Sequence, residues 1–343
     1  MNNAQKPPAI IPVFLPYAGC PHRCIFCNQT TITGRPSGRP PIRQIQEIIL
    51  KALAHQKNGS TLPQIAFYGG NFLGLKRKAV ADYLDLATQF VTAQKVDSLR
   101  FSTRPDTIDT ERLDIIKDFA VKTIELGVQS MDDDVLAQAR RGHTRADTYQ
   151  AVSLLKKHPY KIGLQMMLGL PGDNEAKAYT TASRIASLAP DFVRIYPVLV
   201  LKDSPLAKWY AGALYQPIPL DACITLTKKL YLLFRQKGIP VARMGLQISQ
   251  ELNPESQILA GPYHPAFGHL VYSEVMRDRI VSHLQSKAPP GDEITIMVHS
   301  RHISQVRGYK NKNIRFIEGR FNLTKIKVIE DNSLKMDQVV IEV

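Results

Sequence analysis

The chain has 343 residues, of which 44% are hydrophobic, so it has ample apolar material for a globular core. Its 44 Lys and Arg against 30 Asp and Glu give a formal net charge of +14, which favours an anionic partner such as nucleic acid, a phosphorylated cofactor or a membrane surface. No stretch has the pattern of a secretory signal, and none approaches the roughly 20 apolar residues of a membrane span, so we expect a cytoplasmic protein with no membrane segment.

Between residues 10 and 197, short apolar runs alternate with longer amphipathic segments. Five of those segments have apolar residues at helical spacing, and Asp109 and the pair Asp173 and Asn174 stand where helix N-caps are expected. The apolar runs predict buried strands, because they are rich in large or β-branched residues: IIPVF, QIAFYGG, SLRFST, KTIELGV, KIGLQMML and DFVRIYP. This alternation predicts parallel βα units joined by right-handed crossovers.

The position of the polar residues favours a barrel over a doubly wound sheet. The cysteine loop, GGN, STRPD, GVQS, LPGD and YPV all follow the strands directly. In a barrel these segments meet at the C-terminal mouth, where active sites are built. We therefore predict an α/β fold with a partial (β/α)6 TIM-type barrel, a helical extension and a small C-terminal β-containing domain.

Composition and the positions of Pro and Gly residues suggest three segments. Residues 1–200 are predicted to form the barrel core and residues 201–286 its helical extension. The Pro-Pro-Gly in SKAPPGDE is typical of a linker. Residues 287–343 are predicted to form a small α/β domain, in which EITIMV, TKIKVIE and QVVIEV are the strands.

Three cysteines, Cys20, Cys24 and Cys27, lie in the run GCPHRCIFCNQ. Three thiolates from one loop can hold three irons of a 4Fe-4S cluster and leave the fourth iron without a protein ligand. A disulfide is disfavoured in an intracellular chain. Zinc with His22 as the fourth ligand is the serious alternative, although structural zinc sites usually take ligand pairs from two separate knuckles. The spacing favours iron–sulfur, and it resembles the pattern of radical S-adenosylmethionine (SAM) enzymes.

Two motifs after the second and third strands are candidates for SAM binding. Gly69 and Gly70, followed by Asn71, let backbone groups approach a ligand, here the SAM amino group; an ordinary tight turn is the alternative. Ser102 suits a ribose hydroxyl, and Arg104 suits a carboxylate. Capping of the following helix is the alternative for this second motif.

Further candidates follow the later strands. Gln129 and Ser130 end the fourth strand, where a buried amide must find partners, and a structural hydrogen bond is the alternative. Arg141 is a candidate partner for the methionine carboxylate of SAM. Gly169 is expected to help shape an apolar slot for adenine, with Tyr196 as a further wall.

The tail contains a basic stretch, HSRHISQVRGYKNKNIRFIEGR, that is almost free of acidic residues. Tyr309 and Phe316 are interleaved with its cations, which suits phosphate contacts and base stacking. A solvated charged surface is the alternative.

Together, the motifs PYAGCPHRCIFCNQ, FYGGNFLGL, RFSTRPDTID, ELGVQSMDDDVL with RRGHT, LQMMLGLPGD and AGPYHPAFGHLVYSE resemble the radical SAM superfamily. The sequence is similar to bacterial proteins that resemble the radical SAM half of the Elongator catalytic subunit. The resemblance implies that the three cysteines bind a 4Fe-4S cluster, that SAM chelates the fourth iron, and that reductive cleavage gives a 5′-deoxyadenosyl radical. A reductant of the flavodoxin or ferredoxin type is expected.

The resemblance also implies a substrate class. tRNA or another RNA, modified at a base, is the leading expectation. Two departures bear on it: the resemblance does not extend to the acetyltransferase domain, so acetyl transfer is in doubt, and Asn71-Phe72-Leu73 stands where similar proteins commonly have Ser-Phe-Thr. The alternatives are radical chemistry on a small anionic, porphyrin-like metabolite and a non-catalytic RNA-binding zinc protein.

Overall fold

A computed structural model describes residues 8–56, 61–246, 254–286, 291–335 and 338–342. The chain divides into two compact units. The first comprises Met1–Ile218 and Leu233–Pro262, and the second comprises Pro219–Leu232 and Tyr263–Val343. The three sequence segments at 1–200, 201–286 and 287–343 stay a prediction.

The described residues form alternating strands and helices. The strands are Ile10–Leu15 (β1), Gln64–Gly69 (β2), Ser98–Thr103 (β3), Val121–Gln129 (β4), Lys161–Leu168 (β5), Phe192–Pro197 (β6), Val200–Leu201 (β7), Val241–Met244 (β8), Ile258–Ala260 (β9), Glu293–Val298 (β10), Lys325–Glu330 (β11) and Val339–Glu342 (β12). The helices are Gln29–Thr33 (α1), Ile42–Ala54 (α2), Arg77–Thr92 (α3), Thr110–Ile116 (α4), Asp133–Gln138 (α5), Arg145–Leu155 (α6), Glu175–Ser187 (α7), Pro205–Ala211 (α8), Leu220–Gln236 (α9), Pro254–Gln257 (α10), Phe267–Gln285 (α11), Ile303–Arg307 (α12) and Lys312–Phe321 (α13).

The first unit is built on a curled, seven-stranded parallel sheet in the order β1-β2-β3-β4-β5-β6-β8. This half-barrel confirms the predicted partial TIM-type barrel, and all six predicted strands are present. Strand β8 extends the sheet by a seventh member beside β6. The predicted caps are confirmed as well: the side chains of Asp109 and Asn174 accept hydrogen bonds from the backbone of Arg112 and Lys177, respectively.

The two faces of the sheet differ in chemistry because side chains alternate along each strand. On the helix-covered face, the stacked rings of Phe67, Phe72 and Phe101 form a buried aromatic row with centroid distances of 5.0 and 4.7 Å. The opposite face carries polar side chains, including those of Tyr68 and Gln165, which line a cavity. The half-barrel therefore presents a polar interior at the C-terminal strand ends.

The second unit contains a three-stranded sheet in the order β11-β10-β12, with β10 parallel to β11 and antiparallel to β12. Helices α11, α12 and α13 cover it around a buried cluster that includes Ile280, Ile296, Val306 and Ile317. The small C-terminal sheet domain expected from the sequence is confirmed. Part of the predicted linker, residues 287–290, lies outside the described residues. None of the described helices is long and apolar enough to cross a membrane.

Candidate active site

The three cysteines lie on the loop between β1 and α1, and buried contacts hold that loop in place. The backbone N–H of Ile25 donates to the carbonyl oxygen of Ala139 at 3.1 Å, and Ile25 accepts from the N–H of Leu206 at 2.8 Å. The Ile25 side chain is fully buried. The loop is thereby tied to the ends of two helices while its thiols turn to the cavity.

The glycine pair after β2 packs directly against this loop. A Cβ atom on Gly70 would lie 2.0 Å from the carbonyl oxygen of Ala18, and one on Gly19 would lie 2.1 Å from the carbonyl oxygen of Asn71. The N–H of Asn71 donates to Ala18 O at 2.7 Å. The absence of side chains at these glycines lets the two segments approach each other, and Gly69 and Gly70 also line the cavity.

The side chain of Asn71 joins the cysteine loop to β3. Its Oδ1 accepts from Thr103 Oγ1 at 2.6 Å, from Arg104 N at 3.0 Å and from Thr107 Oγ1 at 3.1 Å, while its Nδ2 donates to Gly19 O at 3.1 Å. Asn71 is 1% exposed and is not among the residues that line the cavity. The structure therefore gives this amide protein partners rather than a position facing a ligand.

A cavity of about 590 Å³ occupies the mouth of the half-barrel. Most of the residues predicted to contact SAM or the cluster meet there, namely Cys20, Cys24, Cys27, Gly69, Gly70, Ser102, Arg104, Gln129, Arg141 and Tyr196. The structure thus brings together residues at or after the C-terminal ends of β1, β2, β3, β4 and β6.

Ser130 and Gly169, like Asn71, lie outside the lining of this cavity. Ser130 Oγ accepts from Asp132 N at 3.1 Å and lies 3.3 Å from Thr181 Oγ1, so it stabilises the turn into α5. Gly169 has φ of +79°, its N–H donates to Asp173 Oδ2 at 3.0 Å, and its carbonyl accepts from Tyr215 Oη at 2.6 Å. Both residues meet local structural needs in the positions where we expected ligand contacts.

Two buried arginines stand beside the thiols. Arg141 donates from Nη1 to Cys24 Sγ at 3.1 Å and from Nη2 to the carbonyl of Gly127 at 2.7 Å. Arg104 forms an ion pair with Asp106 at 2.8 Å. Among the described residues, the buried atoms Nε of Arg141 and Oε1 of Gln129 have no hydrogen-bond partner. Unpaired buried polar atoms at a cavity wall suit a polar ligand.

His22, the fourth ligand in the zinc alternative, lines the cavity and lies beside the backbone of Arg141. Its Nε2 lies 2.8 Å from the carbonyl oxygen of Arg141 and 3.2 Å from Nη1 of Arg104, so the tautomer decides whether it donates to the first or accepts from the second. A Cβ on Gly142 would lie 2.1 Å from the ring, so glycine at that position lets the ring pack there. The imidazole thereby ties the cysteine loop to the segment that carries Arg141.

The thiols fit an iron–sulfur cluster on electrostatic grounds. The pKa of Cys20 is raised to about 11, mainly by burial and secondly by the neighbouring Cys24. The pKa of Cys27 is raised to about 12, mainly by burial and secondly by Cys24 and Cys20. The thiolate forms of Cys20 and Cys27 are therefore disfavoured unless a cation compensates their charge, as bound iron does. Within the described ranges, no group of three or more His, Cys, Asp or Glu is already arranged as a metal site.

Sequence reasoning missed a polar network below the cavity. The fully buried Glu125 accepts from Tyr68 Oη at 2.8 Å, from Gln165 Nε2 at 3.0 Å and from Arg194 Nη2 at 3.0 Å, and it pairs with Arg100. Burial alone would raise the pKa of Glu125, but the charges of Arg194 and Arg100, together with the hydrogen bonds from Tyr68 and Gln165, outweigh it and hold the pKa below its ordinary value. The sequence signal for this network was a charged or amide residue within several of the runs that we interpreted as apolar strands.

Comparison with known proteins agrees with this geometry. Residues 14–185 match the model of the radical SAM superfamily, and residues 190–277 match that of the Radical_SAM C-terminal domain. A solved structure, archaeal Methanocaldococcus infernus Elp3 with an N-terminal deletion, superposes with a TM-score of 0.59 at 21% identity, covering 84% of this chain and 70% of that one. This likeness supports the fold.

Three curated relatives are similar in sequence. An uncharacterised protein of Methanocaldococcus jannaschii is 30% identical over 61% of this chain and 66% of its own length. A tRNA uridine(34) acetyltransferase of the same organism is 25% identical over 77% of this chain and 55% of its own length. A heme chaperone HemW of Synechocystis is 25% identical over 58% of this chain and 50% of its own length. The chain thus spans between half and two thirds of the length of these relatives.

Members of the radical SAM superfamily bind a 4Fe-4S cluster and SAM, and the three-cysteine loop, the unpaired polar atoms and the cavity fit those groups. The non-catalytic zinc alternative is therefore set aside. With a family model that matches half of its length, this chain belongs to the radical SAM superfamily and is a radical SAM enzyme.

Proposed function

We propose that this enzyme modifies a base of tRNA or another RNA. When bound, the cluster and SAM supply a reductively generated 5′-deoxyadenosyl radical, which removes a hydrogen atom from the substrate. The observation that carries the RNA assignment is an exposed basic and aromatic surface in the second unit.

That surface is formed by α12, α13 and the turn between them. Arg307, Lys310 and Arg315 are exposed, and none of them has a carboxylate partner in the part of the chain that the structure describes. Tyr309 and Phe316 are 51% and 40% exposed. Unpaired cations beside exposed rings offer phosphate contacts and stacking platforms for single-stranded bases.

Neighbouring groups hold the two rings in place. His264 contacts the ring of Tyr309 edge-on, with centroids 5.2 Å apart, and Lys310 Nζ lies 5.5 Å from the same ring. The guanidinium carbon of Arg277 lies 4.6 Å from the ring centroid of Phe316. Rings positioned before binding lose less side-chain entropy when a base stacks on them.

In the first unit, the proposed role of each residue follows from its position. Cys20, Cys24 and Cys27 would hold the cluster, and Arg141 presents a guanidinium beside them for the SAM carboxylate. Ser102 offers a hydroxyl to the ribose. These residues would bind and orient the cluster and SAM.

The similarity to tRNA uridine(34) acetyltransferases over 77% of this chain supports a tRNA substrate. The formal net charge of +14 also supports an RNA substrate, because a polyanion can bind a basic protein through many weak contacts at once.

Binding of an unmodified tRNA transcript to the surface can be measured directly. Replacing Arg307, Lys310, Lys312 and Arg315 with Ala should weaken binding by about tenfold or more at moderate salt and flatten its salt dependence. The matched control replaces the exposed cations Arg43, Lys51, Lys78 and Lys117 with Ala, which removes the same charge from α2, from α3 and from the residue after α4, and should leave the affinity nearly unchanged. Equal affinities for all three proteins would remove the tail surface from the proposal.

A second candidate is radical chemistry on a small anionic metabolite of the porphyrin type. It is supported by the arginines that line the cavity and by the similarity to the heme chaperone HemW. Comparing the modified nucleosides of tRNA from cells with and without the gene distinguishes the two. Loss of one modified nucleoside supports the RNA proposal, whereas an unchanged nucleoside profile with an accumulated metabolite supports the second candidate.

A further inference from the structure

The described part of the cavity wall carries several cationic side chains and no carboxylate. Among the described residues that line it, the charged ones are arginines, namely Arg23, Arg104, Arg141, Arg194 and Arg243, and no Asp or Glu is present. Arg104 is neutralised by Asp106, and Arg141 lies beside the thiols. Two further arginines, Arg194 on β6 and Arg243 on β8, contact neither Asp106 nor the thiols.

Arg194 belongs to a buried cluster with an excess of positive charge. Arg194 and Arg100 share one carboxylate, that of Glu125, and the side chains are 9%, 10% and 0% exposed, respectively. The hydroxyl groups near Arg194 are those of Tyr68 and Tyr196, 3.1 and 3.2 Å from its Nη atoms, and they carry no charge at neutral pH. Two guanidinium groups against one carboxylate leave one positive charge in a poorly solvated place.

Arg243 adds a second cation next to Arg194. The two residues are register partners on the adjacent parallel strands β6 and β8, so their side chains lie on the same face of the sheet. Both line the cavity. Within the described ranges, no carboxylate pairs with Arg243, which is exposed on the edge strand.

The opposite edge of the sheet is apolar. Ile10, Pro12 and Phe14 of β1 line the same cavity, so its two edges differ in chemistry. A ligand that spans the cavity meets an apolar wall at β1 and guanidinium groups at β6 and β8. Guanidinium groups bind carboxylate and phosphate oxygens through charge-assisted, bidentate hydrogen bonds.

We propose that Arg194 and Arg243 form a binding site for an oxyanionic group of the substrate, a phosphate or a carboxylate, and that the flat or apolar body of the same substrate lies toward β1. The assignment rests on the proposed function in one respect, since it takes this cavity as the place where the substrate reacts. It deepens that function by naming the substrate group that is recognised and the residues that recognise it.

The test measures dissociation constants for the anaerobically reconstituted holoenzyme loaded with SAM. Three probes are compared. Uridine 5′-monophosphate supplies a phosphate, and uridine is its uncharged counterpart. Coproporphyrin III supplies carboxylates. The variant is Arg243→Gln, chosen because the residue is exposed on an edge strand and its loss spares the Glu125 cluster. The matched control is Arg235→Gln, an exposed arginine near the end of α9 that does not line the cavity.

At least one anionic probe should bind about tenfold more weakly to Arg243→Gln than to the wild-type protein or the control, while uridine is unaffected. An effect on uridine 5′-monophosphate supports the site and a nucleotide substrate together. An effect on the porphyrin alone supports the site and contradicts the RNA assignment. The site is overturned if both anionic probes bind independently of Arg243, or if neither of them binds. In the first case, nucleotide binding still agrees with the proposed function.

Discussion

The guanidinium of Arg141 lies 3.1 Å from the sulfur of Cys24, although 117 positions separate the two residues in sequence. The same guanidinium donates to the carbonyl of Gly127, which fixes it against β4. A cation so placed stabilises negative charge on the thiols and remains close to where a SAM carboxylate would bind. This pair links the cysteine loop to the segment after β4 and is central to the site.

The cysteines should carry the iron. Cys24→Ala is expected to abolish most cluster assembly, because the two remaining thiolates cannot hold a cluster that needs three protein ligands. Iron and sulfide content after anaerobic reconstitution, with the absorbance of the cluster, measures this. Cys223→Ala is the control, since burial raises the pKa of Cys223 to about 12 and the residue lies outside the cavity lining. Equal iron loading in both variants would contradict the assignment.

The amide of Asn71 should matter for folding more than for ligand contact. Asn71→Ala removes the acceptor of three hydrogen bonds and the donor of one, and unpaired buried groups cost about 1–3 kcal/mol each. We expect a loss of at least about 2 kcal/mol in the free energy of unfolding, measured by urea denaturation. Gln89→Ala, at an exposed position of α3, should change stability by less than about 0.5 kcal/mol. Similar effects at the two positions would mean that the Asn71 contacts contribute little.

Close packing at Gly70 should be essential for the cysteine loop. A Cβ there would lie 2.0 Å from the Ala18 carbonyl, which is backbone and has little freedom to move. Gly70→Ala is therefore expected to lower iron loading and the melting temperature together. Gly319→Ala is the contrasting substitution: nothing lies within 4 Å of its Cβ position in α13, so it should stabilise by about 0.5–1 kcal/mol. A Gly70→Ala protein that loads iron normally would show that the loop does not depend on this approach.

Glu125 should stabilise the half-barrel in a pH-dependent way. Its pKa lies below the ordinary value, so its contribution is complete above the unfolded-state pKa of about 4.3 and is lost as the pH falls through the folded-state pKa. Glu125→Gln leaves Arg100 and Arg194 without their carboxylate and should cost about 3–5 kcal/mol at pH 7. The measurement is the free energy of unfolding from pH 7 to pH 3 for both proteins. The difference between them should shrink in acid, and a difference that is constant over this range would exclude the carboxylate as its source.

Much of the architecture was predictable from local pattern. The six apolar runs became β1 to β6, and the caps at Asp109 and Asn174 formed because a short acceptor side chain directly before a helix satisfies free N–H groups. The edge strand β8 was not assigned to the sheet, since its sequence VARM does not show which neighbour it pairs with.

The site was predictable in part, and its limits have physical causes. Residues at or after strand ends, such as Ser102 and Arg141, meet at the cavity because parallel strands bring their C-terminal ends together. Asn71 follows a strand as well, but its amide turns to the backbone of Gly19 and to Thr103, and only the folded contacts decide that. Glu125 and Arg194 were hidden in runs that were interpreted as apolar, because the interior of this half-barrel is polar at alternate positions.

One measurement tests the central claim most directly. The anaerobically reconstituted enzyme is incubated with SAM, dithionite and tRNA from cells that lack the gene, and 5′-deoxyadenosine and modified nucleosides are quantified by mass spectrometry. We expect 5′-deoxyadenosine to form, its yield to rise when tRNA is added, and one new nucleoside to appear in the tRNA. Absence of SAM cleavage from a protein with a full cluster would contradict radical catalysis, and cleavage that leaves the tRNA unchanged would contradict the RNA substrate.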